Sequence, residues 1–102
     1  MDTVVLPKAT YNVLHHLTGE TRPDVALSIV IKDLIHLRLD SVTTKIAAFE
    51  KKYGVSFTEF EEKWRSGVIP DPFSFSVEQD YWSWEAAITD LTVLEDLNNH
   101  II

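Results

Sequence analysis

Apolar residues recur along the middle of this chain at a helical period. Ile31, Ile35, Leu39, Val42, Ile46, Phe49 and Tyr53 follow one another at steps of 4, 4, 3, 4, 3 and 4. Such steps hold side chains on one side of an α-helix, close to a heptad seam. No Gly or Pro interrupts the chain between Pro23 and Gly54. The pattern therefore predicts one long helix over about 23–53. A second stripe, Leu27, Val30, Leu34 and Leu37, lies on another face and stops where its next step meets Ser41. A helix apolar on two sides is held between two packing partners. Asp40 and Ser41 can both N-cap a new helix, so a break there is the alternative to a continuous rod.

Around this element the sequence reads as shorter pieces. Thr3-Val4-Val5-Leu6 is a β-branched run ended by Pro7, a short strand or extended segment. Pro7 suits a helix start, and Tyr11, Leu14 and Leu17 mark a first helix over about 7–17 that ends at Gly19. Ser56-Phe57-Thr58-Glu59 reads as a capping box and opens a short helix with Phe57, Phe60 and Trp64 on one face. Pro70 and Pro72 make 68–76 a loop that Phe73 and Phe75 are expected to tack to a core. A last helix then runs from about Ser76 to Asn98-Asn99, burying Tyr81, Trp84, Ile88, Leu91 and Leu94. The expected fold is mainly α, with a short N-terminal strand or extended segment followed by four helices, in one domain over 1–102.

Charge divides this domain. Residues 1–54 carry seven Lys or Arg against six Asp or Glu, giving +1; residues 55–102 carry two against ten, giving −8. A half so acidic is a poor nonspecific binder of nucleic acid or of a membrane surface. It accommodates a basic protein partner, or it serves only to keep a small domain soluble. The chain has no cysteine, which removes disulfides and thiolate metal sites. The first eight residues lack the basic start and apolar core of a signal peptide, and no stretch nears the roughly 20 apolar residues of a membrane span. A cytoplasmic protein is expected.

Candidate chemistry is sparse. The three glycines, Gly19, Gly54 and Gly67, are scattered at helix ends rather than clustered into a phosphate loop. His15 and His16 are adjacent on a helix and diverge by about 100°, and His36 and His100 stand apart from them. Acids near helix starts serve the helix dipole more often than they hold a cation. No catalysis, metal or cofactor is expected. The segment from Glu78 to Glu85 is the most unusual by composition. With Tyr81 and Trp84 inward, Trp82 turns about 100° aside. Either it is an exposed aromatic among acids, as at a protein-binding hot spot, or it wedges against the Pro70–Phe75 loop. In the first case Glu78, Asp80, Trp82 and Glu85 form the partner-binding set.

Two resemblances follow. The strand Thr3–Leu6, the helix with Tyr11, Leu14 and Leu17, the turn Gly19-Glu20-Thr21-Arg22 and the next helix make residues 1–40 resemble a ribbon–helix–helix module. That family implies an intertwined homodimer, here with Val4 at the interface; independently, the two apolar faces of Val25–Leu39, more than a 102-residue monomer readily covers, place Leu27, Val30, Leu34 and Leu37 at a homodimer interface. The family also implies a DNA-binding regulator as the alternative function, with Thr3, Lys8 and Arg22 as contacts, although neither strand face carries Lys or Arg. The remainder is similar to small prokaryotic antitoxin-like proteins of toxin–antitoxin pairs. It carries Phe49-Glu50-Lys51-Lys52-Tyr53-Gly54, Phe57-Thr58-Glu59-Phe60 and Asp80-Tyr81-x-x-Trp84-Glu85. This second likeness implies a non-enzymatic binding module whose acidic part, 55–102, neutralises a basic partner such as a ribonuclease toxin.

Overall fold

A computed structural model describes residues 4–69 and 74–101. It contains four helices: α1 Lys8–Thr18, α2 Pro23–Tyr53, α3 Phe57–Arg65 and α4 Phe75–His100. The expected N-terminal ribbon is not formed. Val4, Val5 and Leu6 adopt no strand, and no strand occurs among the described residues; Thr3 lies outside them. A run this short needs a neighbouring strand to complete its hydrogen bonds. None is offered here, and Pro7 supplies no N–H with which to extend a ladder. Instead Pro7 stands at the N-cap of α1, and its carbonyl accepts from the Tyr11 N–H at 3.0 Å. The ribbon–helix–helix architecture, and the intertwining through Val4 that depends on it, is thereby removed.

The spine is α2, an unbroken helix of 31 residues, about 46 Å long at 1.5 Å per residue. It continues through Asp40 and Ser41, where neither side chain caps. The Thr43 hydroxyl donates to the Leu39 carbonyl at 2.8 Å, as a helical residue does. The stripe Leu39, Val42, Ile46 runs across this point half-buried, so packing holds the rod where local capping could have ended it. The helix stops at Gly54, whose φ of 71° is the left-handed conformation glycine adopts freely; its N–H donates to the Glu50 carbonyl at 2.7 Å.

The other helices divide α2 between them. α1 packs on its first half and α4 along its second, while α3 packs on α4. α4 runs antiparallel to α2, since Asp80 meets Lys52 and Tyr53, whereas Leu94 lies near Arg38. The main core sits at this far end, where Phe60, Tyr81 and Trp84 are enclosed by Phe49, Tyr53, Phe57 and neighbours. The α1–α2 arm has no comparable centre, only the separate buried residues Leu14, Ala26 and Ile35. Ile31, expected on the covered stripe, is 45% exposed, because the buried stretch begins at Ile35. The result is a rod of 57 × 23 × 19 Å with a radius of gyration of 19.7 Å, against about 13 Å for a globular chain of 100 residues.

Two serines set the starts of α3 and α4. Ser56 Oγ accepts from the Glu59 N–H and Ser74 Oγ from the Val77 N–H, each at 3.3 Å. The first is half of the capping box read from the sequence. The second starts α4 one residue before the expected Ser76. Ser56→Ala is expected to cost about 1 kcal/mol and lower the melting temperature by roughly 4–8 °C. Calorimetry of the variant beside the parent checks this; an unchanged melting point would mean that the cap contributes nothing.

Candidate functional site

The outer face of α4 is the site the fold builds most distinctly. Turning 100° per residue, Phe75, Trp82, Ala86, Val93 and Leu97 fall within about 40° of one line on the helix. Tyr81, Trp84 and Ala87 occupy the opposite, buried side. Phe75 is 78% exposed and Trp82 58%, and Val93 and Leu97 are exposed as well. This stripe spans about 33 Å at 1.5 Å per residue. α4 thus carries apolar residues on two faces, one making the core and the other exposed. Phe75 therefore does not tack the preceding loop to the core, as expected from sequence; Phe73 lies outside the described residues.

Among the described residues, the Trp82 ring meets one other ring, edge-on to Tyr81 at 5.2 Å between centroids. The segment 70–73, against which it could have wedged, lies outside the described residues. Glu78 and Glu85 stand one turn before and one turn after Trp82, within reach of its indole on the same flank. Both are half-buried and neither makes an ion pair among the described residues. An apolar stripe edged by unpaired carboxylates is thus in place around Trp82.

Asp80 is used differently. It points onto α2, where Lys52 Nζ and the Tyr53 hydroxyl both donate to its Oδ2 at 2.5 Å. Burial opposes its ionisation, but these two hydrogen bonds and the Lys52 charge outweigh that, and the carboxyl is held below its ordinary value. Tyr53 is shifted the other way: burial first, then its bond to Asp80 and the charge there, push its phenol far above the ordinary value. Tyr81 behaves alike. Burial raises it, aided by its 2.9 Å hydrogen bond to Glu61 and by the charges of Glu61 and Glu85, with Arg65 acting in the opposite sense. These contacts clamp the first half of α4 to α2 and α3 with Tyr81 inward, and so hold Trp82 outward. Partners 20 to 28 residues apart left no local signal in the sequence.

Other candidates are dispersed. His15 Nδ1 pairs with the Glu20 carbonyl at 2.9 Å, and His16 and His100 bond carbonyls of their own helices. His36 is exposed on α2. Among the described residues no three His, Asp or Glu side chains gather as metal ligands would. A groove of about 460 Å³ between α2 and α4 has Arg38 and Lys45 facing Asp90 over Val42, Ala87 and Leu94; no histidine lines it. Lys8 is exposed at the start of α1, and Arg22 is tied to Asp24 at 2.8 Å. Thr3, the third residue read as a DNA contact, lies outside the described residues. No helix of the described residues is long and apolar enough to cross a membrane. Comparison with known protein families, characterised proteins and solved structures finds no match to this chain.

Proposed function

We propose that this protein is a non-enzymatic binding module whose last helix receives a basic, amphipathic segment of another protein, in the manner of an antitoxin covering a ribonuclease toxin. One observation carries the reading: Trp82 is more than half exposed on an apolar stripe of α4, within the half of the chain that carries −8. Trp is the residue most enriched where binding energy concentrates. Exposed apolar patches rimmed by polar groups mark interaction sites. The unpaired Glu78 and Glu85 would meet Lys or Arg at the rim, which favours fast association and a particular orientation more than raw affinity. Asp80 contributes from beneath, by keeping α4 in place.

The test is co-expression with the small basic product of a neighbouring reading frame. The two are expected to co-purify, and growth inhibition by that product is expected to be relieved. Replacing Trp82 and Glu85 together with alanine should weaken the complex by about 30-fold, the effect of a hot-spot loss near 2 kcal/mol. Failure to co-purify, with toxicity unaffected, would end the reading. Undiminished affinity of the double variant would remove α4 from the interface.

A further inference from the structure

We infer that the α1–α2 arm pairs with a second copy of this chain, α2 lying antiparallel to its counterpart across Leu34. The argument begins with area. The chain exposes 7449 Å², whereas a folded monomer of 11.7 kDa is expected to expose about 5,900 Å². The excess, about 1,500 Å², is roughly twice what each partner of a standard interface buries and lies in the range of obligate homodimers.

Part of this excess is the outer stripe of α4, and part lies on the arm. Ile31, Leu34 and Leu37 are 45%, 50% and 66% exposed on α2, and Leu27 and Val30 continue the same sector half-buried. Leu27, Val30, Leu34 and Leu37 step by 3, 4 and 3, as a two-helix seam does. At 100° per residue, Lys32 and His36 fall on the other side of the helix, Asp33 flanks the sector one turn before Leu37, and Arg38 stands within it one turn after Leu34. Arg38 is the one charge in this sector, and its long aliphatic stem can lie along the apolar surface while the guanidinium stays at the rim.

Charge and symmetry identify the occupant. Residues 1–54 sum to +1, so two arms meet without repulsion, whereas residues 55–102 carry −8 and would repel their own copy. The outer stripe of α4 is thereby excluded as the self-interface. Ile31 and Leu37 stand three residues to either side of Leu34. A two-fold axis through Leu34 sets Leu34 against the partner's Leu34 and Ile31 against the partner's Leu37, a self-complementary, isologous contact. The antiparallel sense sends the two acidic halves to opposite ends of the assembly. The parallel sense would set them side by side, where like charges repel. This pairing is independent of the partner proposed for α4.

Light scattering on the eluted protein at micromolar concentration and physiological salt reads the mass directly. The expected value is twice 11.7 kDa; a single species of 11.7 kDa, or any assembly larger than two, overturns the inference. Leu34→Glu and Leu37→Lys alter exposed side chains, so both are expected to keep the parent's circular dichroism and elute as monomers. A dimer that persists in both would put the interface elsewhere and overturn it too. Because the chain has no cysteine, single cysteines report the register. Leu34→Cys is expected to cross-link to its own copy under mild oxidation, and Leu27→Cys is not. Self-cross-linking of Leu27→Cys, or none by Leu34→Cys, overturns the antiparallel arrangement.

Discussion

Replacing Trp84 with alanine is expected to cost about 3–5 kcal/mol, as truncation of a fully buried large aromatic does. The total stability of a domain is only about 5–15 kcal/mol, so the variant should melt far below the parent. The reason lies in what the ring joins. Trp84 has 0% of its surface exposed and lies 5.4 Å from Phe49 on α2 and 5.1 Å from Phe60 on α3, centroid to centroid. It also touches Tyr53 and Phe57. Three helices converge on this one side chain, as they also do on Phe60. Its indole N–H nevertheless has no acceptor among the described residues. A buried donor left without a partner is itself destabilising, by about 1–3 kcal/mol. Trp84→Phe removes that donor and keeps an aromatic ring in place, leaving a smaller cavity than alanine does, so its loss should be the smaller of the two. Urea midpoints followed by far-ultraviolet circular dichroism compare the variants. Equal losses in both would mean that the indole N–H does find a partner.

Much of this arrangement was legible before any coordinates. The helical periods fixed the span of α2 at Pro23–Tyr53 and placed Tyr81 and Trp84 on the buried side of α4, because periodicity is a local property that tertiary packing reinforces. Gly54 and the Ser56 cap were legible for the same reason. The ribbon at residues 3–6 failed where a local signal needed a remote partner: β-branched residues favour a strand only if another strand is present to pair with it. Phe75 misled in a related way. A large aromatic near a proline-rich loop is normally covered, and only the direction in which α4 starts turns it outward. At the candidate site, Trp82 and its flanking acids were visible from composition. That Asp80 belongs to the scaffold was not, since Lys52 and Tyr53 are 28 and 27 residues away. Two apolar stripes on α2 imply two packing partners; within the chain α4 packs along the one from Ile35 onward, while Leu34 and Leu37 of the other stay exposed.

The clamp that aims Trp82 should also open in alkali. Tyr53 and Tyr81 both have phenols raised above the ordinary value of 10.0 in the folded chain, through burial and their bonds to Asp80 and Glu61. In the unfolded chain they would titrate at that ordinary value. The stability they contribute is therefore complete below pH 10.0 and is lost as pH rises toward their folded values, by about 1.4 kcal/mol for each unit of separation. Asp80 has the opposite dependence: its contribution is present above the ordinary carboxylate value and fades as pH falls through its depressed one. Urea midpoints are expected to hold from neutral pH to the ordinary tyrosine value and then drop steeply, with tyrosinate absorbance rising in step. Tyr53→Phe should cost about 0.5–1.5 kcal/mol at neutral pH through the lost hydrogen bond, yet soften the alkaline drop. Tyr53→Phe combined with Tyr81→Phe should abolish most of it. Lysines also lose charge in this window, which adds to the repulsion within an already acidic chain, and the double variant retains that effect. If it declines as steeply as the parent, general repulsion is the cause and the phenols are not. If it does not, the same two hydroxyls that hold α4 against α2 and α3 set the alkaline limit within which Trp82 is presented to a partner.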